Sequence, residues 1–153
     1  MFDLDEIAQA LQDQDADYFD SRVVLDPATG RTVLWTSDGG IDGETPADPE
    51  DLGLIPIEPL PSWVWYRDMV DFAAALSDER AGRALERAIE GRGAFRRFGD
   101  VLHRDHPELV SVFLALRDAR AARRAVQWLL DNKVIDGPAA ERMLAEHPDP
   151  AIP

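Results

Sequence analysis

The stretch that decides the fold reads RVVLDPATGRTVLW and occupies positions 22–35. Its two runs of β-branched and large apolar residues are typical of strands. The segment 26–30 lies between them; Pro27 presets φ for a turn, and Gly30 can adopt the positive φ that closes it. The pattern predicts a β-hairpin with strands at 18–25 and 31–36.

The regions on either side of the hairpin have different patterns. Apolar residues recur at helical spacing in 3–12, which predicts a short N-terminal helix. Residues 37–51 are rich in Gly, Pro and Asp, which predicts a loop. Residues 52–57 predict a third strand, in which Pro56 indicates an edge position or a strand end.

The remainder of the chain carries helical periodicity. Ser62 and Ser77 are expected to cap two of the helices, and Pro107 fits the first turn of another. The predicted helices lie near 62–76, 77–90, 95–102, 107–116, 118–129 and 138–146. The predicted class is therefore α+β, with a short N-terminal helix, a small antiparallel sheet and a C-terminal bundle of about five to six helices.

Length and composition favour one folded unit in the cytoplasm. A chain of 153 residues with 45% hydrophobic content normally forms one domain. We expect a single domain over 1–153, with an acidic β-containing part at 1–60, a helical part at 61–146 and a frayed tail at 147–153. The acidic start and the lack of a run of ~20 apolar residues argue against export and membrane insertion. The absence of cysteine excludes disulfides, thiolate metal sites and cysteine nucleophiles.

The charge is distributed unevenly. Residues 1–60 contain 15 acidic residues and 2 arginines, a net charge of −13, whereas residues 61–153 have a net charge of −1. Such asymmetry indicates either a charged interaction surface or an acidic third that neutralises basic helices of the same chain.

The most distinctive motif is GRGAFRRF at 91–98. One interpretation is an anion site, in which Gly93 lets a phosphate approach the backbone and Arg92, Arg96 and Arg97 supply charge. The other is a corner between two helices, with glycines at the bend and phenylalanines in the core. The corner is favoured, because the sequence lacks the Lys-Ser/Thr of a P-loop.

A second basic cluster comprises Arg117, Arg120 and Arg124, which share one face of a predicted helix, with Arg123 beside them. A basic face can bind nucleic-acid phosphates. The whole chain is acidic, however, with a pI of about 4.4, and repels polyanions at long range. A protein partner, or the acidic third of the chain itself, suits these arginines better.

Other candidate sites are weak. The acidic loop at 38–51 does not match the spacing of an EF-hand calcium site. His103 and His106 have the spacing of metal ligands on a helix, but Pro107 breaks the helix at this point and no third ligand is evident. No catalytic motif is recognised, and no metal or cofactor is expected. Trp63 and Trp65 lie about 200° apart on a helix, so one of them faces away from the surface that the other packs on.

Several residues carry a family resemblance: GRGAFRRF at 91–98, together with Leu25-Asp26, Thr29-Gly30, Met69, Phe72 and Trp128-Leu129. They resemble an uncharacterised bacterial protein family, the UPF 0158 type, over residues 3–135. The family often has Lys where this chain has Gly99 and Trp where it has Phe113. The resemblance implies one folded unit but no particular activity.

The lack of a catalytic constellation favours a non-enzymatic module for protein interaction or regulation. Its partner would bind through the charged surfaces. The alternative is a binding module for a phosphate-bearing ligand, either a nucleotide or RNA, at the 91–97 corner. Both hypotheses remain open on the sequence alone.

Overall fold

The structure, a computed structural model, describes residues 1–13 and 20–153. The helices are α1 (Leu4–Gln12), α2 (Trp63–Ala75), α3 (Glu79–Ala88), α4 (Ala94–Asp105), α5 (Val110–Asp131) and α6 (Gly137–Ala145). The strands are β1 (Ser21–Asp26), β2 (Arg31–Thr36) and β3 (Ile55–Pro56), and short 3₁₀ turns occupy Glu50–Leu52 and Pro107–Leu109. The predicted α+β class is confirmed. Residues 18 and 19 of the predicted first strand lie outside the described residues.

The chain divides into two compact units. The N-terminal unit contains residues 1–60 and 122–144, and the helical unit contains residues 61–121 and 145–153. The boundary between them falls inside α5. The single domain expected over 1–153 stays a prediction.

The hairpin of the N-terminal unit forms as its sequence predicts. β1 pairs antiparallel with β2 in a register that places Val24 opposite Val33. Gly30 has φ +76° and donates its N–H to the Asp26 carbonyl at 2.8 Å, which closes the turn. Short β3 pairs with the other side of β1, so the sheet order is β2-β1-β3. The third strand predicted at 52–57 is therefore confirmed, although only two of its residues are strand.

The outer edge of β2 is occupied near both of its ends. At one end, Thr36 and Gly40 exchange two backbone hydrogen bonds of 3.0 and 2.9 Å. At the other, the Glu6 carboxylate accepts from the Thr32 hydroxyl at 2.9 Å and from the Thr32 N–H at 3.4 Å. Glu6 belongs to α1, whose first turn is capped by Asp3. A side chain of α1 thus supplies the partner that an edge-strand amide would otherwise lack.

The helical unit is built around a phenylalanine cluster. Phe72 of α2, Phe98 of α4 and Phe113 of α5 approach with ring centroids 4.8–6.4 Å apart. The α2–α3 crossing is especially close: a Cβ on Gly82 would lie 2.9 Å from the Ala73 carbonyl oxygen. Gly82 therefore sets how near these two helices approach.

Three local predictions differ from the structure. Ser62 has helical backbone angles and makes no side-chain capping bond. The cap of α3 is Asp78, not Ser77, because the Asp78 carboxylate accepts from the N–H groups of Arg80 and Ala81. The helices predicted at 107–116 and 118–129 form one continuous helix, α5, in which Asp118 is an internal residue and not a cap. No Gly or Pro lies between 110 and 131 to end the helix.

The segment 147–153, predicted as a frayed tail, makes specific contacts within the helical unit. The Ser77 N–H donates to the Pro153 carbonyl at 2.9 Å, and Ile152 packs against the helical core. Within residues 1–13 and 20–153, no helix is long and apolar enough to cross a membrane.

Candidate functional site

The corner between α3 and α4 holds four of the predicted site residues. Gly91 and Gly93 have φ values of +74° and +75°, which turn the chain between the helices. Arg97 folds back over this turn: its Nε donates to the Ala88 carbonyl at 2.9 Å, and its two terminal nitrogens donate to the carbonyls of Glu90 and Arg92. The end of α3 leaves carbonyls without helical partners, and Arg97 satisfies them.

A second side chain ties down the same corner. The Tyr66 hydroxyl, from α2, donates to the Ile89 carbonyl at 3.1 Å. The carbonyls of 88, 89, 90 and 92 therefore all accept from side chains. This arrangement matches the corner interpretation of the GRGAFRRF motif in its glycines and in buried Phe98. Phe95, which was also expected in the core, is instead 49% exposed.

The other two arginines of the corner point to solvent. Arg92 is exposed, and Arg96 makes an ion pair with Asp100 at 3.9 Å in which both side chains are largely exposed. Exposed pairs of this kind contribute only about 0–1 kcal/mol. Arg92 and Arg96 are thus the members of this group that a ligand could reach.

Arg120 lies in the most developed ionic network of the helical unit. Its Nη1 atom is 2.7 Å from an Asp71 oxygen and 3.2 Å from an Asp68 oxygen, and its Nη2 is 3.6 Å from Asp149. The Asp68 side chain is only 2% exposed. Burial opposes the charge on Arg120, but its hydrogen bonds to Asp71 and Asp68 outweigh burial and raise its pKa above the ordinary value. This network neutralises a buried carboxylate.

The other two predicted arginines of α5, Arg117 and Arg124, have different surroundings. Arg117 pairs with its neighbour Asp118 at 3.4 Å, with both side chains exposed. Arg124 is half-buried in the N-terminal unit and also interacts with other groups. The seven predicted residues therefore divide into the corner group, the α5 group of the helical unit, and Arg124.

Asp68, Asp71 and Asp149 were not among the site residues predicted from the sequence, although one signal pointed to Asp68. Asp68 falls at i+3 from Trp65 and i−4 from Phe72, on the apolar stripe of α2. A carboxylate on such a stripe is buried and needs a cation.

The acidic loop of the N-terminal unit is held by specific contacts. The Trp35 indole N–H donates to the Ala47 carbonyl at 2.6 Å, and the Arg22 guanidinium lies 5.0 Å from the centre of the Trp35 ring. The Asp42 carboxylate accepts from the backbone N–H groups of Glu44 and Thr45, at 2.8 Å each, which holds the pKa of Asp42 below its ordinary value. Six acidic side chains of this loop are exposed: Asp38, Asp42, Glu44, Asp48, Glu50 and Asp51.

A shallow open groove of about 400 Å³ lies between α1 and the sheet. Its residues are Asp5, Glu6, Gln9, Ala10, Asp13, Val23 and Thr32. The polar members of α1 were visible in the sequence, but their position opposite β1 and β2 was not. In the part of the chain that the structure describes, no group of three His, Asp or Glu residues could hold a metal ion.

The two tryptophans of α2 differ as expected. Trp65 is buried at 8% exposure, whereas Trp63, at the start of the helix, is 68% exposed. The prediction that one of them faces away is confirmed.

No protein-family model, no curated protein and no solved structure matches this chain.

Proposed function

We propose that this protein is a non-enzymatic interaction module, which binds a basic partner protein through the acidic surface of residues 1–60. The observation that carries the proposal concerns the arginines. Six arginines of the helical unit form ion pairs with Asp or Glu, and every one of these acidic partners also lies within residues 61–153. The six are Arg67, Arg83, Arg96, Arg104, Arg117 and Arg120. Each of these six cations thus has an acidic partner in its own part of the chain, whereas residues 1–60 carry a net charge of −13.

The charge of the acidic surface favours association with a basic partner. A patch of one sign attracts the opposite sign over about 10 Å at 0.1 M salt and raises the rate of encounter. The chain's own basic cluster was the other candidate for neutralising these acids. Arg120, the central member of that cluster, is paired with Asp68, Asp71 and Asp149 inside the helical unit. Arg124 lies in the N-terminal unit and has interactions of its own.

The acidic loop suits this role because it is anchored before a partner arrives. Its Trp35–Ala47 and Asp42 hydrogen bonds reduce the entropy that binding would cost. Ile41 and Leu52 are 49% and 43% exposed and supply apolar area among the carboxylates. Apolar contacts surrounded by polar ones are the usual composition of an interface.

The alternative, a phosphate-bearing ligand at the 91–97 corner, has less support. Arg97 directs its guanidinium at three carbonyls of its own chain, which leaves Arg92 and Arg96 as the accessible cations. The cytoplasmic location and the resemblance to the UPF 0158 type are likewise proposals, and neither assigns an activity.

The test compares two charge-matched variants. The first neutralises four exposed acids of the loop: Asp38→Asn, Glu44→Gln, Glu50→Gln and Asp51→Asn. The second neutralises four exposed acids of the helical unit: Glu86→Gln, Glu90→Gln, Asp100→Asn and Asp118→Asn. We expect proteins captured by the wild type at about 0.1 M salt to be retained by the second variant, lost by the first, and lost by the wild type at about 1 M salt. Equal capture by both variants contradicts the proposal.

Thermal-shift measurements with nucleotides and short RNA test the alternative. A ligand that binds only the folded state raises the melting temperature. A shift that disappears in an Arg92→Ala/Arg96→Ala variant favours the phosphate site instead.

A further inference from the structure

The segment 147–153, His-Pro-Asp-Pro-Ala-Ile-Pro, makes contacts of three different chemical kinds with the helical unit, and His147 and Asp149 have further interactions. The Asp149 carboxylate lies 3.6 Å from Nη2 of Arg120. Ile152 covers part of the apolar core, and the Pro153 carbonyl accepts from the exposed Ser77 N–H at 2.9 Å. We call this segment the strap. A cation, an apolar surface and a backbone donor are the elements by which proteins bind extended peptides.

The spacing of the strap suits such a contact. Prolines at 148, 150 and 153 favour a polyproline II conformation, which has about three residues per turn. Asp149 and Ile152 are three residues apart, so this conformation directs both to one side. Because proline restricts the free chain, ordering the strap costs less entropy than ordering a flexible segment.

The ionic contact of the strap is the weakest in the Arg120 network. Asp71 and Asp68 approach Nη1 at 2.7 and 3.2 Å, whereas Asp149 is farther away, on Nη2, with 43% of its side chain exposed. A distance of 3.6 Å exceeds that of a hydrogen bond. If the strap dissociated, the two short bonds to Arg120 Nη1 would stay in place, and Arg120 Nη2 would lose its contact with Asp149. These two short bonds are made by residues of α2 and not by the strap.

We propose that the surface under the strap is a peptide-binding site, and that the strap is its internal competitor. The ligand is an extended segment of a partner protein with the pattern acidic residue, proline, any residue, aliphatic residue. A free phosphate does not fit, because the site includes the apolar surface under Ile152, which a small anion cannot cover. This proposal does not depend on the acidic surface of residues 1–60.

The experiment uses the full chain and a fluorescent peptide of residues 145–153, AEHPDPAIP. The Ile152→Ala variant weakens the strap, and Ile135→Ala, a half-buried residue of the N-terminal unit, is the matched control. A competitor that covers its site in about nine molecules of ten weakens the apparent affinity about tenfold. We expect Ile152→Ala to bind the peptide several-fold more tightly than the wild type and Ile135→Ala, with about tenfold as the gain when the strap is fully displaced.

A second peptide, AEHPAPAAP, lacks the acidic and aliphatic groups and should bind none of the three proteins. Hydrogen exchange at the Ser77 amide gives an independent measure. This amide should lose protection in Ile152→Ala and regain it when AEHPDPAIP is added. The proposal is overturned if Ile152→Ala binds both peptides equally, if its affinity for AEHPDPAIP equals that of the wild type, or if the peptide leaves Ser77 exchange unchanged.

Discussion

Replacing Arg120 by leucine should destabilise the helical unit far more than an ordinary surface change. The substitution removes the 3.2 Å contact to the Asp68 carboxylate, whose side chain is only 2% exposed, and the 2.7 Å contact to Asp71. The other interactions of Asp68 are unchanged. Removing one partner of a buried pair costs about 3–5 kcal/mol. That is a large share of a typical unfolding free energy of about 5–15 kcal/mol. For a chain of this length, the loss lowers the melting temperature by about 10 °C.

Urea and thermal unfolding followed by circular dichroism measure this loss. The control is Arg117→Leu, one turn earlier on α5, whose partner Asp118 is exposed; its unfolding free energy should stay within about 0.5 kcal/mol of the wild type. Adding Asp68→Asn to Arg120→Leu removes the buried charge and should restore at least about 1 kcal/mol. Equal losses for Arg120→Leu and Arg117→Leu, or an additive double variant, would refute the reasoning.

Three further outcomes follow from the geometry. Arg97→Ala should lower the unfolding free energy by about 1–3 kcal/mol, because it leaves carbonyls of the corner without donors, while exposed Arg92→Ala should not change it measurably. Gly82→Ala should destabilise the protein in urea unfolding despite the higher helix propensity of alanine, because its Cβ would meet the Ala73 carbonyl oxygen at 2.9 Å; a gain in stability would show that α2 and α3 can separate. Because its pKa is lowered in the folded state, Asp42 stabilises its loop above the ordinary aspartate pKa of about 3.9, and this stabilisation is lost as the pH falls through the lowered value. Amide exchange in the loop should therefore rise at acidic pH in the wild type, and Asp42→Asn should remove that pH dependence.

The sequence predicts those parts of the fold whose conformation depends on residues close together in the chain. The hairpin follows from Pro27 and Gly30, and most helices follow from apolar periodicity. The predictions of helix caps and of one helix boundary were wrong where more than one residue had the chemistry of an N-cap. Asp78 is a better cap than Ser77 because its carboxylate reaches two N–H groups, and Asp118 resembles a cap but lies inside a continuous α5.

The roles of individual arginines depend on contacts that sequence does not show. Arg120 meets Asp71 and Asp68 from 49 and 52 residues away, so no local pattern predicts the pairing. Arg97 meets carbonyls within nine residues, but only the positive φ values of the corner bring them within its reach. Side-chain partners across such distances are fixed by packing, which the periodicity of a helix constrains only in part.

The occupied edge of β2 bears on how this protein behaves at high concentration. An open strand edge is a template on which another chain can extend the sheet, and such growth leads to fibrils. Here the Thr32 amide is taken by Glu6, and Thr36 is paired with Gly40. An incoming strand would have to displace both contacts before it could add in register. The two contacts, of two hydrogen bonds each, thus oppose fibril growth along β2, which many proteins prevent by covering the edge with a whole helix or loop.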